Sequence, residues 1–216
     1  MELRNYHLDE LRIANTPGHS HRIMPPVLSS DRTILDVGCG AGQTLIATEF
    51  NPGTIVIGLD RDESALNLGR QLDQTIGFVC ARGECLPFES ERFDFVFSRV
   101  ALPYMQLNAT LSEIRRVLKT QGRVWFVLHP YSMILKEMLD ALTRLKLKRA
   151  VVCLYVIANG TVVNLLGKEF RLPFRKHYHE SFQTVGGIKK LLRKAGFQDI
   201  HAERKNFFVA TARKVK

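Results

Sequence analysis

Two patterns of apolar residues alternate along the chain. Runs that are almost continuously apolar, as in strands buried on both faces, lie at residues 33–37, 54–60, 76–80, 93–97 and 123–128. Segments with apolar residues at helical spacing lie at residues 41–50, 62–73 and 108–119. Repeated strand–helix units with short links predict a parallel sheet with helices on both faces.

The last third of the chain departs from this alternation. A helix is predicted at residues 131–148, and Asn159-Gly160 then lies between two apolar runs, which is a strong signal for a two-residue β-hairpin. The closing elements are a helix at 185–195 and strands at 197–204 and 207–214. The expected fold is therefore α/β: a doubly wound Rossmann-like sheet, mostly parallel with an antiparallel C-terminal strand, plus an inserted β-hairpin between the fifth and sixth strands.

Length and composition indicate one soluble globular domain, with 216 residues, 45% of them hydrophobic and 24% charged. No membrane span is expected, because the longest uncharged stretch, between Arg149 and Lys168, contains the predicted turn at Asn159-Gly160. The N-terminal residues lack the apolar core of a signal peptide. The four cysteines form no CxxC pair, so reduced thiols in a cytoplasmic protein are expected.

Charge is divided unevenly between the two halves of the chain. The net charge is +10, but residues 1–110 carry −5 and residues 111–216 carry +15. This polarity favours an anionic partner for the C-terminal half, such as a phosphate-bearing substrate, an acidic protein or nucleic acid. A solvated basic surface without a partner is the alternative.

A glycine-rich loop follows the first strand in the run ILDVGCGAG, residues 34–42. Glycines there let backbone N–H groups approach a ligand. The loop does not match a dinucleotide site, since Gln43 occupies the third glycine position, and no phosphate-binding G-K-[ST] follows. Asp36, two residues before the first glycine, suits a ligand with an ammonium group. Asp60 ends the next strand at the same edge of the sheet, where it can accept hydrogen bonds from ribose hydroxyls.

Four blocks in order resemble the class I S-adenosylmethionine-dependent methyltransferases. They are ILDVGCGAG, then GLD at 58–60, then GECLPF at 83–88 followed by RFDFVFS, and finally EIRRVLKTQGR at 113–123. The resemblance covers about residues 33–128. It implies S-adenosyl-L-methionine as the cofactor and S-adenosyl-L-homocysteine as its product. It also implies one methyltransferase domain, 1–216, whose parts are an N-terminal helical cap (1–30), a cofactor-binding core (33–130), a substrate-side insertion (131–182) and a closing helix and hairpin (183–216).

The resemblance assigns roles to nine residues. Those expected to contact the cofactor are Asp36, Gly38, Cys39, Gly40, Asp60, Arg61, Gly83, Glu84 and Ser98. Asp36 would hold the ammonium, the glycine loop would pass beneath the amino-acid end, and Asp60 would take the ribose hydroxyls. Arg61 would lie along the adenine with Gly83 and Glu84 at its edge. The backbone of Ser98 would face the methionine part.

The sequence departs from the family at Arg82. The family commonly has D-A-E before x-L-P-F, with the Asp accepting from the adenine amino group, but this chain has Arg82-Gly83-Glu84. An arginine side chain has donors only. Either Glu84 turns in, backbone carbonyls suffice, or the adenine is held loosely, and we expect cofactor binding to survive.

Methyl transfer depends on the positioning of donor and acceptor in a pocket that excludes water, and it requires no fixed catalytic motif. The sequence therefore defines the acceptor less well than the cofactor. The [D/N]-P-P-[Y/F] tetrapeptide of amino-methyltransferases is absent, and no cysteine follows a proline as in C5-cytosine enzymes. The candidates for the acceptor wall are Tyr104, His129, Tyr131, His177, Tyr178 and His179. His129, with Tyr104, is the candidate general base, and a purely structural histidine is the alternative. The spacing around His177 suits no standard metal site, and no metal is expected.

Three functions remain as hypotheses. The first is a methyltransferase acting on a small molecule, in one version anionic and met by the basic residues Arg144, Lys146, Lys148, Arg149, Arg171, Arg175 and Lys176. The second is an RNA-directed methyltransferase using the same basic half. The third is a non-catalytic protein that binds cofactor or a partner. The apolar hairpin would pack over the substrate mouth or against a second subunit, so a monomer or a homodimer is expected.

Overall fold

The computed structural model describes residues 2–168 and 180–216, whose strands form a single sheet. The strands are β1 (Thr33–Val37), β2 (Ile55–Asp60), β3 (Gly77–Cys80), β4 (Phe93–Arg99), β5 (Leu118–Leu128), β6 (Gln198–Arg204) and β7 (Phe208–Arg213). The helices are α1 (Glu2–Asn15), α2 (Gln43–Ile46), α3 (Glu63–Leu72), α4 (Leu107–Val117), α5 (Tyr131–Thr143), α6 (Leu147–Leu166) and α7 (Val185–Lys194), with a 3-10 turn at Leu102–Tyr104.

The order across the sheet is β3-β2-β1-β4-β5-β7-β6. The first five strands are parallel, and β7 pairs antiparallel with both β5 and β6. This confirms the Rossmann-like class with its antiparallel C-terminal end. Because β1 lies at the point where the strand order reverses, the carboxyl ends of β1, β2 and β4 open onto one crevice.

Both faces of the sheet are covered, as the continuous apolar runs predict. Phe95 and Phe97 of β4 belong to one buried cluster with Leu66 of α3. Val96, between them, belongs to the cluster on the opposite face with Ile114 of α4. All five side chains are fully buried. A strand so enclosed has a fixed register, since a slip of one residue would exchange its two faces.

The predicted β-hairpin around Asn159-Gly160 is wrong, because this segment lies inside the continuous helix α6. Asn159 is fully buried, and its amide donates to the Glu180 carbonyl at 3.0 Å. A Cβ on Gly160 would lie 2.3 Å from Phe182 Cδ1. The pair is therefore explained by burial and close packing against a distant segment, which local turn statistics do not contain.

The predicted helix at 131–148 is two helices, with the chain reversing between α5 and α6. Leu145 in this connection has φ 53°, a left-handed conformation that ends the helical path. The insertion after β5 is therefore a helical hairpin. The helix predicted at 41–50 is also shorter than expected, since α2 has only four residues.

Among the described residues, α6 is long and apolar enough to cross a bilayer by length and composition. The core helices of soluble proteins can pass the same test. The turn at Asn159-Gly160, on which the expectation of no membrane span rests, does not form, because the helix continues through both residues.

Candidate active site

The loop after β1 adopts conformations that require glycine. Gly38 and Gly42 have φ 81° and 76°, and a Cβ on Gly38 would lie 2.2 Å from the Cβ of Ala101. The N–H groups of Gly38 and Cys39 both donate to the Leu59 carbonyl, at 2.7 and 3.0 Å. These bonds tie the loop to the end of β2 and hold it at the carboxyl edge of the sheet.

Asp36 is a buried carboxylate with an unused acceptor. Its side chain is only 2% exposed, and Oδ1 has no hydrogen-bond partner. Burial raises the pKa of Asp36 to about 8, with Arg99 opposing and Asp60 adding to the rise. A desolvated, unpartnered carboxyl group of this kind is arranged to receive a cation.

Asp60 lies between two clefts at this edge. Its Oδ2 accepts from Gly40 N–H at 2.8 Å and its Oδ1 from Asp62 N–H at 3.0 Å. The β2 cleft, about 200 Å³, is lined by residues that include Asp60, Arg61, Arg82, Gly83, Glu84 and Met105. The β1 cleft, about 220 Å³, is lined by residues that include His7, Asp36, Gly38, Cys39, Gly40 and Asp60. One elongated ligand can therefore occupy both clefts with its middle at Asp60.

Helix α1 closes the β1 cleft with side chains that sequence reasoning did not identify. His7 Nδ1 lies 2.7 Å from the Gln43 amide nitrogen, a donor, so the ring proton of neutral His7 is on Nε2. This Nε2 is buried without a partner, and burial lowers the pKa of His7. Arg99 donates to Glu10 of α1 at 2.6 Å and to Thr44 Oγ1 at 2.9 Å. A contact between α1 and β4 leaves no local sequence pattern that could have found it.

A larger cavity of about 510 Å³ adjoins these clefts, and we call it the β5 cavity. Its lining includes His21, Arg99, Tyr104, His129, Arg204 and Lys205. Tyr104 also lines both clefts, so it stands where all three spaces meet. Val100, beside it, has φ 60°, an unfavourable conformation for a β-branched residue.

Tyr104 and His129 form an aromatic pair at the floor of the β5 cavity. Their ring centroids are 5.7 Å apart with planes at 88°, an edge-to-face contact. Burial raises the pKa of Tyr104 to about 12, with Glu180 and Tyr6 contributing. Burial also lowers the pKa of His129. At neutral pH, Tyr104 therefore keeps its proton, whereas His129 is neutral and can accept one.

A fourth space of about 540 Å³, the α5 cavity, continues from this pair between the two insertion helices. Tyr104, His129, Met133, Glu137, Arg149 and Phe182 are among its lining residues. The path from the sheet edge thus runs past Tyr104 and His129 onto the inner surface of the α5–α6 hairpin.

Comparison with known proteins supplies the family. A family model described as a methyltransferase domain matches residues 35–126. This domain belongs to the class I S-adenosylmethionine-dependent methyltransferases. The cofactor of that family is S-adenosylmethionine.

Relatives of this methyltransferase domain match less than half of the chain. The uncharacterized methyltransferase YodH of Bacillus subtilis is 38% identical over 100 residues, which are 44% of this chain and 42% of YodH. A malonyl-[acyl-carrier protein] O-methyltransferase of Herminiimonas arsenicoxydans is 32% identical over 94 residues, 43% of this chain and 35% of that protein. Less than half the length of each relative is matched.

Solved structures extend the likeness to the whole fold. Human N-acetylserotonin methyltransferase, solved in complex with S-adenosylmethionine, aligns with a TM-score of 0.63 at 16% identity. The alignment covers all of this chain and 56% of that one. At this identity the agreement concerns the fold alone.

Most of the residues assigned to the cofactor lie together in the methyltransferase domain. Those that line the two clefts are Asp36, Gly38, Cys39, Gly40, Asp60, Arg61, Gly83 and Glu84. Ser98 lies behind them, fully buried, with its hydroxyl donating to the Val37 carbonyl at 2.6 Å. Ser98 thereby joins β4 to β1, and its neighbour Arg99 faces the β1 cleft.

Glu84 is held by its neighbours. Its Oε1 accepts from Gln106 N–H at 3.1 Å, and Arg82 Nε lies 3.4 Å from its Oε2. Burial alone would raise the pKa of Glu84, but these hydrogen bonds bring it below its ordinary value. Glu84 therefore faces the cleft with both oxygens already engaged, and the Arg82 side chain is 51% exposed.

Of the other candidates for the acceptor wall, the structure describes only Tyr131. Tyr131 lies at the start of α5 and packs against Phe182. His177, Tyr178 and His179 lie outside the described residues. Within the described ranges no group of three or more metal-ligating side chains occurs.

Proposed function

We propose that this chain is a methyltransferase that transfers a methyl group from S-adenosylmethionine to a small-molecule acceptor in the β5 cavity. The observation that carries the proposal is the position of Tyr104, which lines the two cofactor-side clefts as well as the β5 cavity. A donor in the clefts and an acceptor in the cavity would meet at this side chain. Positioning of that kind supplies most of the catalysis that an in-line displacement needs.

The β1 cleft fits the amino-acid end of the cofactor. Asp36 offers an unpartnered acceptor for an ammonium, and the Nε2–H of His7 offers an unpartnered donor for a carboxylate. Asp60 keeps free lone pairs for the ribose hydroxyls, and Arg61 lines the adenine side. When bound, S-adenosylmethionine supplies a methyl group on a sulfonium that is an excellent leaving group. The chain's own residues bind it, orient it and exclude water.

The acceptor is proposed to be anionic. Arg204 and Lys205 line the β5 cavity at the tip of the β6–β7 hairpin, and Arg204 donates to Ser132 Oγ at 2.7 Å. Lys205 is paired with Glu203, but both side chains are exposed, so the pair holds the lysine weakly. The malonyl group in the name of one relative is likewise anionic.

Arg204 and Lys205 differ from the basic residues that the sequence suggests for an anionic acceptor. Arg149 lines the α5 cavity, whereas Arg144, Lys146 and Lys148 are exposed at the turn between α5 and α6. Arg171, Arg175 and Lys176 lie outside the described residues.

His129 is proposed to accept the acceptor's proton, if the attacking atom carries one, while Tyr104 keeps its own proton and orients the acceptor. The lowered pKa of His129 keeps the imidazole neutral near pH 7, which a general base requires. The four cysteines are unpaired, as the proposed cytoplasmic setting would leave them.

The first test is calorimetric titration of S-adenosylhomocysteine into the wild type, Asp60→Ala and Asp73→Ala. Asp73 is the matched control, since its carboxylate accepts from Thr75 in its own turn and lines neither cleft. We expect micromolar binding that Asp60→Ala abolishes and Asp73→Ala preserves. Absence of binding to the wild type would overturn the proposal and leave a non-catalytic binding protein.

The second test asks for the acceptor. Transfer of a labelled methyl group to a panel of small carboxylates should depend on His129 and Arg204. RNA titrated at two salt concentrations tests the RNA-directed alternative, since phosphate contacts weaken steeply with salt. Salt-steep RNA binding together with RNA methylation would replace the small-molecule proposal.

A further inference from the structure

The outward face of α6 is uncharged along its whole length. The residues that share this face, at helical spacing and all exposed, are Leu147, Val151, Leu154, Ala158, Thr161 and Leu165. The exposed fractions of Leu147 and Leu165 are 71% and 65%. The stripe extends over about 27 Å at the rise of an α-helix. Soluble monomers rarely leave an apolar stripe of this length in water.

The apolar surface continues onto α5 and the turn. Leu139 and Leu142 are 63% and 52% exposed, and Leu145 in the turn is 82% exposed. We call these residues, together with the outward face of α6, the insertion face. The large apolar side chains of the sheet core are not exposed in this way, since Phe95 and Phe97 are fully buried.

Cations surround one end of the insertion face. Residues 144–149, at the turn, contain four basic residues and no acidic one. Arg144 and Arg149 are paired with Asp140 and Glu137 of α5. Lys146 and Lys148 are exposed and have no ion pair among the described residues.

The inner face of α6 is bonded into the domain, which keeps the helix on the surface. The Asn164 amide donates to the Phe182 carbonyl at 3.1 Å, and its Oδ1 accepts from Thr184 N–H at 2.8 Å. Cys153 and Val156 pack against α5 in a buried cluster. A helix held in this way presents one side outward and cannot be surrounded by lipid.

We propose that the insertion face docks on an anionic lipid bilayer, with the outward side of α6 at the boundary between headgroups and acyl chains. Helices that lie in this interface combine an apolar face with flanking lysines and arginines. Charge complementarity decides against a second copy, because Lys146 and Lys148 would meet the same lysines there, and the neighbouring acids Asp140 and Glu137 are already paired with Arg144 and Arg149. Anionic headgroups provide that charge, and each lysine near such a surface strengthens binding severalfold. The proposal does not rest on the proposed methyl transfer.

The placement would also bring the bilayer close to the acceptor path. Met133 and Glu137 of α5 line the α5 cavity, which leads to Tyr104 and His129. An acceptor arriving from the membrane surface would enter along the same helical hairpin that docks.

The test is sedimentation of the full chain with vesicles of phosphatidylcholine, either alone or with about 30 mol% of the anionic lipid phosphatidylglycerol. We expect binding to the anionic vesicles that falls at least about tenfold in the double variant Leu147→Gln/Leu154→Gln. The double variant Lys146→Gln/Lys148→Gln should lose about 30-fold at low salt. The controls are Ile55→Gln and Arg92→Gln, two exposed residues at the amino ends of β2 and β4, and both variants should bind as the wild type does.

Folding of each variant is checked by thermal unfolding and by titration of S-adenosylhomocysteine. No sedimentation with anionic vesicles would overturn the proposal, as would binding that Leu147→Gln/Leu154→Gln leaves unchanged. A dimer in sedimentation velocity that Leu154→Gln dissociates, without vesicle binding, would assign the face to a second copy. RNA binding that depends on Lys146 and Lys148, without vesicle binding, would assign it to nucleic acid.

Discussion

Two regions of the molecule depend on a glycine that has no room for a side chain, and they depend on it for different reasons. Gly38, at the edge of the sheet, has φ 81° and lies against Ala101. Gly160, in α6, is helical and lies against the ring of Phe182. The first glycine shapes a loop that faces a ligand, and the second allows two parts of the chain to pack. Gly38 therefore belongs to the residues that form the site, and Gly160 to those that hold the surrounding structure together.

The largest effect is expected at the first glycine. Gly38→Ala places a methyl group 2.2 Å from the Cβ of Ala101 in a left-handed backbone, so the loop must move away from Ala101. We expect the affinity for S-adenosylhomocysteine, measured by calorimetry, to fall more than about 100-fold. Gly53→Ala is the control, since Gly53 has φ 79° but nothing within 4 Å of its would-be Cβ. It should cost about 1 kcal/mol of stability and no affinity. Equal losses in both variants would mean that strain alone, and no contact, is responsible.

A change of pH should affect the cofactor edge next most strongly. The raised pKa of Asp36, about 8, means that the free carboxyl holds a proton below pH 8, and a bound ammonium must expel it. Affinity for S-adenosylhomocysteine should therefore fall as the pH falls from 8, by up to about tenfold per unit. Calorimetry in buffers of different ionisation enthalpy counts the released proton. Asp36→Asn should bind weakly at every pH with no proton release, and a wild-type profile that is flat would contradict the assignment.

The same group makes a prediction about stability. The pKa of Asp36 is higher in the folded chain than its ordinary value of 3.8, so its effect on stability is most favourable below about pH 4. Stability is lost as the pH rises towards 8, by about 1.4 kcal/mol per unit. The free energy of unfolding in urea, measured between pH 4 and pH 8, should lose this decline in Asp36→Asn.

The second glycine should change stability and leave the site intact. Gly160→Ala improves helix propensity by about 1 kcal/mol but places a methyl group against Phe182, so we expect a net loss of about 2 kcal/mol in urea unfolding. Gly186→Ala, with nothing within 4 Å, should instead stabilise α7. Cofactor affinity should be unchanged in both. A loss of affinity in Gly160→Ala would show that the insertion and the cofactor edge are coupled.

Features of the fold that depend on contiguous residues could be predicted from the sequence, and features that depend on contacts between distant segments could not. The core strands and the clefts that follow them depend on local pattern: the apolar run, the glycine loop and Asp60 are all contiguous signals. The contributions of His7 and Glu10 arise from a helix folding back over the loop, a contact separated by 36 residues between His7 and Gln43. The β-hairpin prediction at Asn159-Gly160 is wrong because this pair of residues is most typical of a turn when only the local sequence is considered. In the structure the two residues are buried in a helix, where they contact Glu180 and Phe182.

The smallest effect is expected where the chain departs from its family. Arg82 is half exposed, and its contact with Glu84, at 3.4 Å, stabilises the fold little. Arg82→Ala should therefore leave affinity for S-adenosylhomocysteine nearly unchanged. Arg82→Asp supplies an acceptor for the adenine amino group and should tighten binding about 3- to 10-fold if the adenine is held loosely. S-inosylhomocysteine, which has a carbonyl oxygen in place of that amino group, should gain nothing from Arg82→Asp. Tightening that persists with the inosine analogue would instead assign the effect to the reversed charge, and unchanged affinity would mean that the adenine is already held by other groups.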